Sequence, residues 1–165
     1  MATKTIDDSP QLQPAESRAY RDDLFGWVED QVALLKAGRV AEIDFVNIAD
    51  ELGDVGNEQC DKLESAIRIV LLHLLKWDQQ PERRSRNWVL SVSEHRRRIQ
   101  RVLKKNPSLK PSIDEAISGA YEDARGDAVG ETNLPNAAIP AHFPYDWNTI
   151  LNRLVEFNDT RSPES

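Results

Sequence analysis

Residues 63–101 read LESAIRIVLLHLLKWDQQPERRSRNWVLSVSEHRRRIQR, and this stretch decides the fold. Leu63, Ala66, Val70, Leu74 and Trp77 recur at three- and four-residue steps, the spacing of one helix face. Leu71, Leu72 and Leu75 fill the remaining sides, so the helix is apolar almost all round, as the central member of a bundle must be. Pro81 has no amide hydrogen and breaks it, which predicts a short loop at Gln79–Pro81. A second helix is predicted from about Ser85 to Asn87 onward, with Trp88, Val92, Ile99, Val102 and Leu103 inward and a stop at Asn106-Pro107. The two make an antiparallel helical hairpin.

Working towards the N-terminus, Asp44 suits an N-cap, and Ile48, Leu52, Val55 and Gln59 keep helical phase into Leu63. Gly53 and Gly56 interrupt that phase, each costing about 1 kcal/mol relative to Ala. Residues 44–77 are therefore either one kinked helix or two helices meeting at the glycines. Upstream, Ser17 is an acceptable N-cap for a helix to Ala37 with Tyr20, Leu24, Trp27, Gln31, Leu34 and Leu35 on one face, stopped by Gly38. Beyond the hairpin, Ser108 can cap a helix carrying Leu109, Ile113, Ala116, Ala120, Ala124 and Ala128, a small-residue stripe that permits close packing. Pro135, Pro140 and Pro144 make the next segment irregular, and a short helix from Tyr145 to Leu154 is expected after it. The expectation is an all-α, single-domain bundle of five or six helices over residues 17–155. Residues 1–16, polar with two prolines, read as a disordered arm, and residues 156–165 as a frayed tail.

Composition narrows the classes. The 165 residues suffice for one real core, and 39% apolar with 30% charged residues is ordinary for a soluble protein. Cys60 is the sole cysteine, so an intrachain disulfide is impossible. The start MATKTIDDSPQLQPAES lacks the apolar centre of a signal peptide, and no apolar run approaches the ~20 residues that span a bilayer. No membrane association is expected, and the cytoplasm is the default location. The net charge of −7 is distributed in blocks. Residues 1–75 hold 7 bases and 15 acids, residues 76–110 hold 11 and 3, and residues 111–165 hold 3 and 10. Such blocks suggest a basic helix neutralised by acidic neighbours or, alternatively, a displayed basic face.

Two constellations could carry chemistry. His73 and Trp77 lie four residues apart on one side of a helix and face Trp88 and Val92 across the predicted loop. His73 could act as a base or metal ligand with Glu51 or Glu58, or be a core histidine whose ring nitrogens are satisfied by neighbours. No His-x-x-x-His or Glu-x-x-His spacing occurs, so no metal or other cofactor is expected. Arg84 with Ser85 could hold a phosphate or carboxylate, while Arg96 falls on the inward stripe of its helix. The structural alternative pairs Arg84 and Arg96 with Glu51 and Glu58. The second constellation is a basic ridge of Arg97, Arg98, Arg101, Lys104 and Lys105, of the kind that meets phosphates or an acidic protein surface. No helix-turn-helix spacing, zinc knuckle or RNA-stacking signature accompanies it, nor does a glycine-rich phosphate loop or Gly-x-Ser-x-Gly.

His73-Leu74-Leu75-Lys76-Trp77 with Gln80-Pro81, Arg84-Ser85 and Trp88 is a specific pattern. Tyr20, Asp23, Trp27, Gln31, Asp44, Asn47, Glu51 and Glu58 precede it, and Asn106-Pro107-Ser108-Leu109, Ala120-Tyr121, Glu131-Thr132 and Pro144-Tyr145 follow. On these residues the chain resembles a bacterial family, domain-of-unknown-function family 29, over about residues 17–155. The resemblance implies a compact all-helical fold and no established activity. The chain departs from the family pattern at Asp50, where a second glutamate usually stands beside Glu51, and at Gly53, where the helix is usually uninterrupted. Both departures speak against a catalytic carboxylate pair there. The leading reading is a non-enzymatic protein-interaction module of the bacterial cytoplasm with an unknown protein partner. A nucleic-acid-associated protein using the basic ridge comes second, and a metal-dependent or acid/base enzyme centred on His73 third.

Overall fold

A computed structural model of the chain describes residues 19–157, and the expected N-terminal arm and all but the first two residues of the expected tail lie outside them. Among the described residues the chain is all-α: α1 (Leu24–Ala37), α2 (Phe45–Gln79), α3 (Arg86–Lys105), α4 (Ile113–Thr132) and α5 (Trp147–Asn152), joined by short 3-10 turns. It packs as two compact units, the first ending at Gly53 and the second starting at Asp54.

In the first unit α1 begins at Leu24 with Asp23 as its N-cap, six residues beyond the expected cap Ser17, which lies outside the described residues. The backbone from Ala19 to Asp23 forms a turn, with the Asp22 and Asp23 amides donating to the Ala19 carbonyl. The Asp23 carboxylate then accepts from the Gly26 amide at 2.9 Å, satisfying a donor that the first helical turn leaves free. Gly38 stops the helix as expected: at φ 68° it is left-handed. Its amide donates to the Leu35 carbonyl and the Arg39 amide to that of Leu34, the paired closure typical of such stops. Asp44 is the N-cap foreseen for α2, holding the Asn47 amide at 3.2 Å and its side-chain amide at 2.6 Å. Those bonds from Asn47 keep the Asp44 carboxyl below its ordinary pKa. Trp27 and Ile43 are the buried apolar residues of this unit. The Tyr20 ring meets Trp27 edge-on at 4.9 Å, and the buried Gln31 accepts the Asp44 amide at 2.9 Å.

The glycine question resolves as one helix, since α2 is continuous from Phe45 to Gln79 through Gly53 and Gly56. Neither glycine has a side chain within 4 Å of where its Cβ would stand. With no packing to disturb, a penalty of about 2 kcal/mol is spread over a helix whose other positions sustain it.

The second unit is built on the last half of α2. Ala66, Ile67, Val70, Leu71, Leu74 and Leu75 are sealed from solvent and form one cluster with Val92 and Ile99 of α3 and the alanines of α4. Each large aliphatic side chain so buried contributes about 1.5–3 kcal/mol. The alanine stripe lies where the spacing put it, with Ala116, Ala120, Ala124 and Ala128 all buried. The start of α4 differs from expectation. Residues Pro107–Ser112 form a 3-10 turn, and the α-helix begins at Ile113 rather than after Ser108. Pro107 and Pro111, four residues apart, both lack amide hydrogens, and the tighter turn accommodates them without an α-helical ladder. α5 is shorter than Tyr145–Leu154 because Asp146 caps it, accepting the Thr149 amide at 2.7 Å.

Close approach along α4 yields a stability prediction. Ala124→Leu inserts a branched side chain where none fits, and is expected to destabilise the protein by about 1–3 kcal/mol. A urea unfolding midpoint equal to that of the wild type would show the stripe is not packed as described.

Candidate functional site

The turn between α2 and α3 gathers most of the polar residues singled out in the sequence. Ser85 is the N-cap of α3, with its hydroxyl accepting from the Trp88 amide at 3.4 Å. Arg84 donates its Nε to the Trp77 carbonyl at 2.9 Å and lays its guanidinium 4.8 Å from the centre of the Trp77 ring. One arginine thus satisfies an end carbonyl of α2 and gains a cation–π contact, favourable at a helix C-terminus. The carboxylate partners expected for Arg84 are elsewhere. Glu58 pairs with Lys62 one turn on at 2.8 Å, and Glu51 accepts the Tyr20 hydroxyl at 2.6 Å within the first unit.

Lys76 is the residue that the sequence reading undervalued. Only 8% of it is exposed, and two groups meet its ammonium there. Its Nζ pairs with Glu131 of α4 at 2.5 Å and stands 4.6 Å over the Trp88 ring. A buried ammonium needs such partners. Beside it the buried Gln80 donates to the Thr132 carbonyl at 3.3 Å, and Thr132 donates back to Ala128 at 2.6 Å. Asn133, left-handed at φ 55°, then ends α4. The signal was Glu131-Thr132 in the sequence, but the 55-residue separation from Lys76 hid the pairing.

His73 matches neither expectation in full. Its ring is 6.2 Å from that of Trp88 across the turn, as the hairpin required. However, its buried Nδ1 has no hydrogen-bond partner among the described residues. Glu58 is fifteen residues back along the same helix, about 22 Å at 1.5 Å per residue, so the two do not form a site. Burial and the Lys76 charge push the imidazole pKa down to about 4, against a smaller opposite pull from Glu131. His73 is therefore a neutral half-buried ring whose Nδ1 is without a partner among the described residues. Among the described residues no group of three or more His, Cys, Asp or Glu gathers to hold a metal ion.

Arg96 points inward as predicted, and again its partners are carbonyls rather than carboxylates. It donates to the carbonyls of Ile150 at 2.6 Å, Arg153 at 2.7 Å and Thr149 at 3.1 Å, tying α3 to the end of α5. Burial and the nearby Arg153 charge lower its pKa. The carboxylate of this region is Asp78, which sequence reasoning overlooked. It receives the Tyr145 hydroxyl at 2.7 Å and both ends of the Arg153 guanidinium. Burial works against its charge, but the Arg153 and Tyr145 hydrogen bonds prevail and keep its pKa below the usual value. Tyr121 and Arg125 similarly hold the irregular segment to α4, donating to the Pro140 carbonyl at 2.6 and 3.0 Å. His142 contributes its carbonyl to Tyr121 at 3.2 Å.

The ridge residues Arg97, Arg98, Arg101, Lys104 and Lys105 are all exposed on α3. Arg97 donates to the Ser93 hydroxyl at 3.1 Å, and none of the five forms an ion pair among the described residues. Among the described residues the basic face is thus displayed rather than neutralised by ion pairs. α4 instead sends Asp123 and Asp127 to Arg68 and Glu131 to Lys76, so its acids answer α2.

The depressed His73 pKa gives a pH prediction. Between about 6.5 and 4 the unfolded chain binds a proton at this site that the folded one does not, so stability falls as pH falls through that window. His73→Gln is expected to flatten this part of the stability–pH curve, measured by urea unfolding at pH 7 and 4.5. An unchanged slope would mean that His73 is hydrated or paired in solution.

Among the described residues no helix is long and apolar enough to cross a membrane. No curated protein and no solved structure matches the chain. The family model described as Domain of unknown function DUF29 matches residues 19–155, which takes in all five helices, and the chain belongs to that family.

Proposed function

We propose that the protein is a non-enzymatic protein-interaction module of the bacterial cytoplasm, and that its docking surface is the first unit. One observation carries this reading. Among the described residues thirteen large apolar side chains are exposed, and nine of them lie between Leu24 and Leu52. On α1, Leu24, Val28, Val32 and Leu35 follow at helical steps, with Phe25, 74% exposed, beside them. Phe45, Val46 and Leu52 add to this at the start of α2. Scattered apolar residues are normal on a surface, but a concentration like this marks a face that another protein covers.

Charge indicates the occupant. Residues 19–53 hold eight Asp and Glu against three Lys and Arg. A second copy would set like charges against each other, whereas an amphipathic helix of another protein with basic flanks would meet both the apolar stripe and its acidic surroundings. The basic ridge supports a second reading, association with nucleic acid, because its five cations are exposed without carboxylate partners among the described residues.

A synthetic helix with one leucine face and lysine flanks is the probe. It is expected to bind the full chain, and Phe25→Ser with Val32→Ser to weaken it at least about tenfold, roughly 1.4 kcal/mol, while the far-ultraviolet circular dichroism is kept. A glutamate-flanked version of the same helix should bind poorly. Equal binding by the double variant would remove the apolar face from the account. Replacing Arg97, Arg101 and Lys104 with Gln should leave the peptide bound; band shifts with short oligonucleotides at about 50 mM salt that vanish in this triple variant would favour the second reading instead.

A further inference from the structure

A groove of about 300 Å³ runs between α3 and residues 152–155, wholly inside the second unit. Its polar wall is Ser93, Arg97 and Gln100 on one side and Asn152 on the other, and Val89, Val92 and Val155 form its apolar part. Leu154, Arg96 and Arg153 complete a lining that contains three arginines and no carboxylate.

The charges do not balance there. Arg153 is answered by Asp78. Arg96 donates only to the neutral carbonyls of Thr149, Ile150 and Arg153. Arg97 donates to the neutral hydroxyl of Ser93 at 3.1 Å. Two guanidiniums therefore share one groove without a counter-charge among the described residues, and one of them is fixed by three hydrogen bonds. Holding Arg96 in place costs nothing further when an anion arrives, and Arg97 is free to swing its planar fork onto an oxyanion. The hydroxyl of Ser93 and the amide of Gln100 add neutral donors at the rim, where the Asn152 amide nitrogen already donates to Asn148 at 2.8 Å. The volume sits at the low end for small-molecule sites, about 300–1,000 Å³.

We infer that this groove binds a small organic anion: a carboxylate or phosphate monoester at Arg97, with a short apolar body against Val89, Val92 and Val155. The site is independent of the apolar face of the first unit. It also differs from the anion cleft that the sequence suggested at Arg84 and Ser85, where Arg84 donates its Nε to the Trp77 carbonyl and the Ser85 hydroxyl accepts the Trp88 amide.

Titration of the full-length protein with hexanoate, monohexyl phosphate and hexanol, followed by nuclear magnetic resonance of backbone amides and arginine Nε–H groups, tests this. At least one of the two anions is expected to shift Ser93, Arg97 and Gln100 signals saturably, with a Kd of about 1 mM or tighter, and the tighter anion identifies the headgroup. Arg97→Gln should weaken that binding about tenfold and Arg97→Lys less, whereas Arg101→Gln and Lys104→Gln should leave it alone. The inference is overturned by the absence of saturable shifts with either anion, by equal binding of hexanol, or by Arg97→Gln binding like the wild type.

Discussion

The last half of α2 turns more than half of its circumference away from water. Ile67, Val70, Leu71, Leu72, Leu74 and Leu75 make up that broad face and all are buried, while Ser65 and Arg68 keep contact with solvent. A helix of this kind cannot be stable alone; its broad apolar face must be covered, and the rest of the second unit is the cover. α3 supplies Val92 and Ile99, α4 supplies a face of alanines that lets its backbone come close, and Ile139, Ile150 and Val155 close the remainder from segments too short or irregular to fold by themselves. The polar residues around the core pin those coverings in place. Arg84 turns the chain onto α3, Lys76 and Gln80 fasten the end of α4, and Arg96 and Asp78 hold α5.

The same constraint is unmet in the first unit. It buries Trp27 and Ile43 and leaves nine large apolar side chains in solvent. The larger unit has a finished interior, and the smaller displays material for one. The proposed role follows from that asymmetry. The histidine, lysine and glutamate near Trp88 look like catalytic residues by type, but their geometry is that of a tie between helices, with one imidazole nitrogen unused.

Periodicity made the architecture legible because it reports burial directly. The all-α class, the α2–α3 turn, the alanine stripe, the Gly38 stop and the Asp44 cap all rest on local rules that need few neighbours. Partners were not legible. Arg84 and Arg96 were assigned carboxylates since buried charge demands compensation, yet backbone carbonyls at helix ends supply it equally well and carry no sequence signature. Lys76–Glu131 and Asp78–Arg153 join residues 55 and 75 positions apart, a pairing that spacing cannot reveal. Leu24, Leu35, Leu52 and Val55 keep the right phase but are exposed, since phase says which residues share a face and not whether anything covers it.

Hydrogen–deuterium exchange of the isolated protein tests the central claim most directly, because amide protection reports how well each segment is enclosed. The account predicts that amides from Ala66 to Trp77 and from Ala116 to Ala128 exchange only through global unfolding. Those of α1 and of residues 45–53 should exchange orders of magnitude faster, through local opening of a unit that lacks a complete interior. Protection in α1 equal to that of the α2 core would contradict it, showing that the apolar face is already covered and needs no partner.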